Sequence, residues 1–214
     1  VTTRFEKMAM IASYLIFAML LGIKPYDRLA WALENSVPLV EGLAFIIYYR
    51  WKKVELTRLT YWLIFGHLII QCIGGHYTYE KVPLFDWLRD YFGWARNHYD
   101  RLAHIALGFC LYIPLREIFL RRTPLNASRA WAGFFTLVTI MAIAGMWEVW
   151  EWLVAANAQS DLGNSYLGAQ GDPWDAQKDI VLAPIGAVAA LFLLTGWHNA
   201  ALEREKLIPA MSET

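Results

Sequence analysis

An excess of charge of either sign is the first thing this sequence lacks: nineteen Lys and Arg stand against nineteen Asp and Glu, so the formal net charge is zero. A partner held by its phosphate backbone calls for a basic excess, and bulk charge therefore excludes nucleic-acid binding. Cysteine is scarce as well. Cys72 and Cys110 both fall inside apolar runs, where a thiol packs as a small hydrophobe. That excludes a disulfide-stapled fold and leaves the redox compartment undetermined. No internal repeat and no Ser/Gly-rich linker divides the chain, which points to a single domain over residues 1–214.

Hydrophobic residues, by contrast, make up 57% of the chain and charged residues 18%, more apolar surface than one soluble core of this length can bury. The remainder must face lipid. Eleven Trp and eleven Tyr agree with this, because amphipathic rings collect where hydrocarbon meets headgroups and each span offers two such levels. Apolar stretches of roughly 17 to 25 residues mark spans, and they fall at about 8–23, 29–49, 59–75, 102–120, 131–155 and 180–197. The expected fold is an all-α polytopic membrane protein, a six-transmembrane-helix bundle. The second span carries Glu34, Glu41 and Pro38 at membrane depth, which predicts a kinked or partly interfacial helix. The first follows Arg4 and Lys7 as a signal peptide would. With five further runs behind it and no small-residue cleavage pattern, it reads as an uncleaved span.

Basic residues set the orientation. Arg4, Lys7, Arg50, Lys52, Lys53, Arg58, Arg116, Arg121, Arg122, Arg129, Arg204 and Lys206 fall on the side shared by both termini, twelve of the nineteen. The positive-inside rule makes that side cytoplasmic. The loops from Tyr77 to Tyr99 and from Ala156 to Lys178 then lie outside. In the first of them Leu84, Trp87, Leu88 and Tyr91 recur at helical spacing, with Asp86, Arg89 and Asp90 opposite, the pattern of an interfacial helix.

Histidine and carboxylate gather at that same outer face. Gly74-Gly75-His76-Tyr77-Thr78-Tyr79 closes the third span, and Arg96-Asn97-His98-Tyr99-Asp100-Arg101-Leu102-Ala103-His104 opens the fourth. Glu148 and Glu151 stand near the end of the fifth, and Gly171-Asp172-Pro173-Trp174-Asp175-Ala176-Gln177-Lys178-Asp179 leads into the sixth. Asp100 and His104, Glu148 and Glu151, and Asp175 and Asp179 are spaced i,i+3 or i,i+4, so each pair shares a helical face. So many acids in a low dielectric require compensation by protons, by Arg and Lys, or by a cation. Arg96, Arg101 and Lys178 supply too little. The expected metal ligands are His76, Asp100, His104, Glu148, Glu151, Asp172, Asp175 and Asp179, with Glu151 or Asp172 left free as general base. Hard oxygen with some imidazole and no thiolate suits Zn, Mn or Fe, and Mg or Ca if the histidines stand off. The bland alternative is that Asp100 and Asp179 only favour the first turns of their helices. His67, mid-span, is expected to hydrogen-bond across helices, His198 to sit at an interface, and Arg116-Glu117 to form an ion pair or let Arg116 snorkel to headgroups.

The motifs at 74–79, 96–104, 116–117, 148–152 and 171–179 resemble those of the YjdF-type bacterial inner-membrane proteins, from about Pro25 to Gly186. The resemblance implies a small multi-span inner-membrane protein and no particular reaction. Ala103 departs from it, standing where the family motif has Gly.

Two functions from different classes follow. One is a divalent-metal-dependent hydrolase acting at the outer leaflet on a lipid or lipid-linked substrate, with membrane lipids as surroundings and the loop bearing Gly163, Gly168 and Gly171 closing over it. The other is a cation- or proton-carrying protein, or an accessory subunit whose polar cluster only joins helices. Clustering at one face and the lack of interrupted helix pairs favour the first.

Overall fold

The computed structural model describes residues 2–52, 55–157 and 169–205. Gly163, Gly168, Lys53 and Lys206 lie outside them. Among the described residues all regular structure is helical: α1 Arg4–Gly22, α2 Arg28–Lys52, α3 Arg58–His76, α4 Pro83–Phe92, α5 Tyr99–Arg122, α6 Arg129–Asn157 and α7 Asp175–Arg204, with a short 3-10 turn at Pro124–Ala127. Local chemistry starts and stops them. The Thr3 hydroxyl accepts from Glu6 N at 3.1 Å, and the Asp27 carboxylate accepts from Ala30 N at 2.7 Å, each satisfying an amide that has no intrahelical acceptor. Pro83 opens α4 where no N–H is needed, and Gly93, at φ 66°, closes it in the left-handed region.

The all-α class expected from sequence is therefore observed. Four helices, α1, α5, α6 and α7, are long and apolar enough to cross a membrane by length and composition. Two other long helices, α2 and α3, are not among the four; they carry Glu34 and Pro38, and His67 and Gln71, respectively. Helix α2 runs through Pro38 without ending there. No residue of α1 is buried, and large apolar side chains elsewhere face outward, with Phe192 80% exposed. In water such surface costs about 25 cal/mol per Å²; facing hydrocarbon, it costs nothing.

The six long helices alternate in direction. Arg58 Nε meets Glu6 Oε1 at 2.8 Å where α1 and α3 start, and the far end of α3 meets the end of α1. Thr57, before α3, bonds Glu117 near the end of α5, while the Tyr99 hydroxyl at the start of α5 reaches Ile70 O at 2.8 Å, so these two run antiparallel. Helices α5 and α7 run parallel along a seam of small residues. A Cβ added at Gly108 would run into the Ala183 carbonyl, and one at Gly186 into the carbonyl of Ile105. Backbones approach this closely only where side chains are absent. Leu107, Tyr112, Ile113, Ile140, Ala144, Ala183, Ala187 and Ala190 pack around the seam as the main core. One turn beyond it on each helix stand His104 and Asp179, so the packing of the seam positions the site.

Candidate functional site

Where α5 and α7 begin, Asp100, His104 and Asp179 come together, all buried, with ligand atoms within 4.8 Å of one another. The reason is periodicity combined with the seam. Asp100 and His104 stack one turn apart on α5, and parallel α7 presents Asp179 beside them. His104 Nε2 lies 3.3 Å from Glu148 Oε1 of α6 and 3.8 Å from Asp100 Oδ1. His104 Nδ1 and Asp179 Oδ1 are buried with no hydrogen-bond partner among the described residues, and Glu148 Oε1 has only the approach of His104 Nε2. Buried polar atoms left unmatched cost about 1–3 kcal/mol each, so the two on His104 and Asp179, beside further carboxylates, call for a ligand.

The other expected site residues divide into those at its edge and one apart from it. Asp175 is held by Arg96: Nη1 is in close contact with Oδ1, and Nη2 donates to Oδ2 at 3.2 Å. Arg96 Nη2 also stands 3.9 Å from Asp100. Asp172 sits at the mouth, accepting from Arg101 Nη2 at 2.7 Å and from Lys178. Lys178, with the Trp174 amide behind it, holds the Asp172 carboxyl below the ordinary range, so it is an anion tied into ion pairs. Glu151 is buried and accepts from Trp147 Nε1 at 2.6 Å. His76 is turned elsewhere, its Nδ1 donating to Leu21 O at 2.5 Å, and it is not part of the three-residue group. His98, at the mouth before α5, is held below the usual histidine value by burial, then by Arg101 and Arg96.

Gln71, Tyr79 and Trp147, none of them expected as a ligand from sequence, complete the place. Gln71, Tyr79, Asp100, Ala103, His104 and Trp147 line a cavity of about 10 Å³, room for one water-sized occupant. Ala103, the departure from the family motif, thus forms part of its wall. The Gly-Gly of residues 74–75 explains how Tyr79 arrives. Thr78 and Tyr79 adopt φ 52° and 55°, turning the chain back so that the Tyr79 ring lies where a Gly74 side chain would be. The Tyr79 hydroxyl then donates to Gln71 Oε1 at 2.9 Å. Gly75 makes room for α2, whose Glu34 Cβ would be 3.2 Å from a Cβ at that position. Glu34 is 4% exposed, is within electrostatic range of Asp100 and Glu151, and has an unpartnered Oε2. An acid in mid-span was the available signal; in sequence it read as a perturbation of the helix.

Asn97 staples the mouth. It is fully buried, accepts from Tyr99 N at 3.0 Å, donates to Val82 O and Asp86 Oδ1 at 3.1 Å each, and exchanges backbone bonds with the Gln170 amide. One residue, through its side chain and its backbone, thereby ties α4, α5 and the segment before α7 together.

The opposite end of the bundle holds a second polar network. Arg116 neither snorkels nor pairs with Glu117: it donates to His198 Nδ1 at 2.8 Å and to Asn199 Oδ1 at 2.9 Å. Its bond makes His198 Nδ1 an acceptor, which leaves Nε2–H to face Glu117 at 3.4 Å. Glu117, fully buried, also accepts from Thr57 N at 3.0 Å, Thr60 Oγ1 at 2.6 Å and Arg121 Nη1 at 2.8 Å, capping α3 and clamping it to α5 and α7. His67 is buried in α3 with Nδ1 unpartnered, so the cross-helix bond expected of it is absent among the described residues.

This chain matches the family model described as "Predicted membrane protein (DUF2238)" over residues 6–200. It is 35% identical over 187 residues to the inner membrane protein YjdF of Escherichia coli (strain K12), covering 87% of this chain and 88% of that one. No solved structure matches it. The family match spans every helix that builds the site and its seam, and the chain belongs to the DUF2238 family of membrane proteins.

Proposed function

We propose that this protein is a multi-pass enzyme of a bacterial inner membrane, spanning it six times as a single domain with both termini in the cytoplasm. On this reading Asp100, His104 and Asp179 would hold a divalent cation, which would supply an activated water for hydrolysis of a lipid or lipid-linked substrate at the outer leaflet. One observation carries this: three buried ligand groups within 4.8 Å of one another, with unmatched lone pairs on His104 and Asp179. Three protein ligands leave a cation with open positions, the arrangement of catalytic rather than closed structural sites. Glu148, whose Oε1 is 3.3 Å from His104 Nε2 and makes no other contact of this kind among the described residues, serves as general base. The sequence points to Glu151 or Asp172 for that role, but Trp147 engages the first, and Arg101 and Lys178 engage the second.

Helix α4 lies in the headgroup layer on this reading. Leu84, Trp87 and Tyr91 are exposed along one face, and Trp87–Tyr91 and Phe92–Trp94 stack in sequence toward His98. A carrier of ions through the bilayer is disfavoured by the α5–α7 seam, where no side chain separates the backbones below the cluster.

The test is metal content and thermal unfolding of detergent-purified protein, stripped with chelator and reloaded with Mn, Zn, Fe or Mg. A cation at a hundred times its Kd stabilises by about 2.7 kcal/mol. Asp179→Asn and His104→Gln each remove most of the bound metal, and the double change adds little because the two act as one unit. Folded protein that holds no metal and gains nothing from Zn, Mn, Fe, Mg or Ca refutes the reading.

A further inference from the structure

The end of the bundle that carries the termini is basic. By sequence, twelve basic residues are assigned to this side of the membrane against six acids assigned to it likewise: Glu6, Glu55, Glu117, Glu203, Glu205 and Glu213. Of these, Glu117 is fully buried in the network around His198 and does not offset charge at the surface. Between α3 and α7 at this end opens a cleft of about 640 Å³. Its rim has Arg58, Arg204 and Glu205, and its walls are apolar, with Leu59, Trp62 and Trp197. Trp62 is 48% and Trp197 72% exposed. A pair of indoles open to the surroundings at the end of two long apolar helices marks the level where acyl chains give way to headgroups.

The two arginines have capacity left. Arg58 uses Nε on Glu6 Oε1 at 2.8 Å, which leaves its terminal nitrogens, and Glu6 is further engaged by Trp62 Nε1 at 3.0 Å. Arg204 is exposed at the end of α7 and makes no hydrogen bond or ion pair among the described residues. Two guanidinium groups above an apolar, Trp-lined cleft match one kind of occupant: a diester phosphate above two acyl chains.

We propose that this cleft binds one anionic phospholipid, with its phosphate between Arg58 and Arg204 and its chains along Leu59, Trp62 and Trp197. The lipid fills the gap between α3 and α7. Because Thr57 and Thr60 at the head of α3 are tied to Glu117, and His198 on α7 meets the same carboxylate, the bound lipid braces the clamp that holds α3, α5 and α7. The site is separate from the carboxylate cluster and stands or falls without it.

The test is native mass spectrometry and thermal unfolding of the full chain in neutral detergent, titrated with phosphatidylglycerol, phosphatidylcholine or inorganic phosphate. Phosphatidylglycerol is expected to remain bound at one per chain and to raise the unfolding midpoint; phosphatidylcholine binds at least several-fold more weakly, and phosphate alone does nothing. Arg58→Ala and Arg204→Ala each weaken the retained lipid about fivefold. Both side chains are exposed, so the variants fold, and Arg129→Ala, away from the cleft, serves as control. Equal retention of both lipids, equal protection by free phosphate, or full retention by the double variant overturns the proposal. So does protection that appears only when residues 206–214 are removed, since that assigns the cleft to the chain's own tail.

Discussion

Replacing Gly108 by alanine adds one methyl group on the line where α5 meets α7, and the nearest atom to that methyl is the backbone carbonyl of Ala183. A carbonyl in a helix cannot rotate aside, so the two helices must separate. Overpacking of this kind costs about 1–3 kcal/mol, and contact with backbone puts Gly108 at the upper end. Alanine returns about 1 kcal/mol through helix propensity, leaving a net loss of about 2 kcal/mol. For a chain of this size that lowers the unfolding midpoint by about 4–8 °C. Gly145, on α6, is the matched control: nothing lies within 4 Å of a Cβ added there, so Gly145→Ala keeps only the propensity gain and unfolds slightly higher than wild type. Thermal unfolding of the purified variants in one detergent reads both shifts. Gly108 is one turn from His104 and Ala183 one turn from Asp179, so Gly108→Ala also loosens the cluster and reduces any bound cation, whereas Gly145→Ala does not. If Gly108→Ala proves as stable as Gly145→Ala, the close parallel seam is wrong and the placement of the site falls with it.

Glu117→Gln leaves Arg121 and the Thr57 and Thr60 donors facing a neutral amide in a fully buried place, and costs about 3–5 kcal/mol; a loss within error of zero in chemical unfolding refutes the clamp. The mouth loosens in acid. His98 lies below its ordinary value, so the folded state favours the neutral ring and stability rises with pH up to the unfolded value of about 6.5. Asp172 is also lowered, and its contribution, present above about pH 4, disappears as pH falls through the lower folded value. His98→Asn should flatten the unfolding midpoint between about pH 5 and 6.5, and an unchanged profile contradicts the assignment. In a background without Cys72 and Cys110, an impermeant thiol reagent should label Asp90→Cys in intact cells and Glu203→Cys only after lysis. The reverse pattern inverts the orientation.

The class of this protein and the ingredients of its site are legible in the amino-acid order alone. Long apolar runs, Trp and Tyr at their ends and pairs such as Asp100 with His104 are local properties: a helix brings residues four apart onto one face whatever surrounds it. That is why Asp100, His104 and Asp179 could be named before the helices were assembled. Which pairs meet depends on how the helices pack. His76 looked equivalent to His104 by motif, yet the turn after α3 leaves its ring facing Leu21, and Tyr79 is the residue folded back to the cavity. Arg116 and Glu117 are adjacent in sequence and so project from different faces of α5. Their partners, His198 and Thr57, come from helices that sequence spacing cannot place beside them. Glu34 lies buried against α3 only because Gly75 lets α2 approach it. Contacts between helices depend on crossing point and rotation, and here both are set by where glycine and alanine permit backbones to touch.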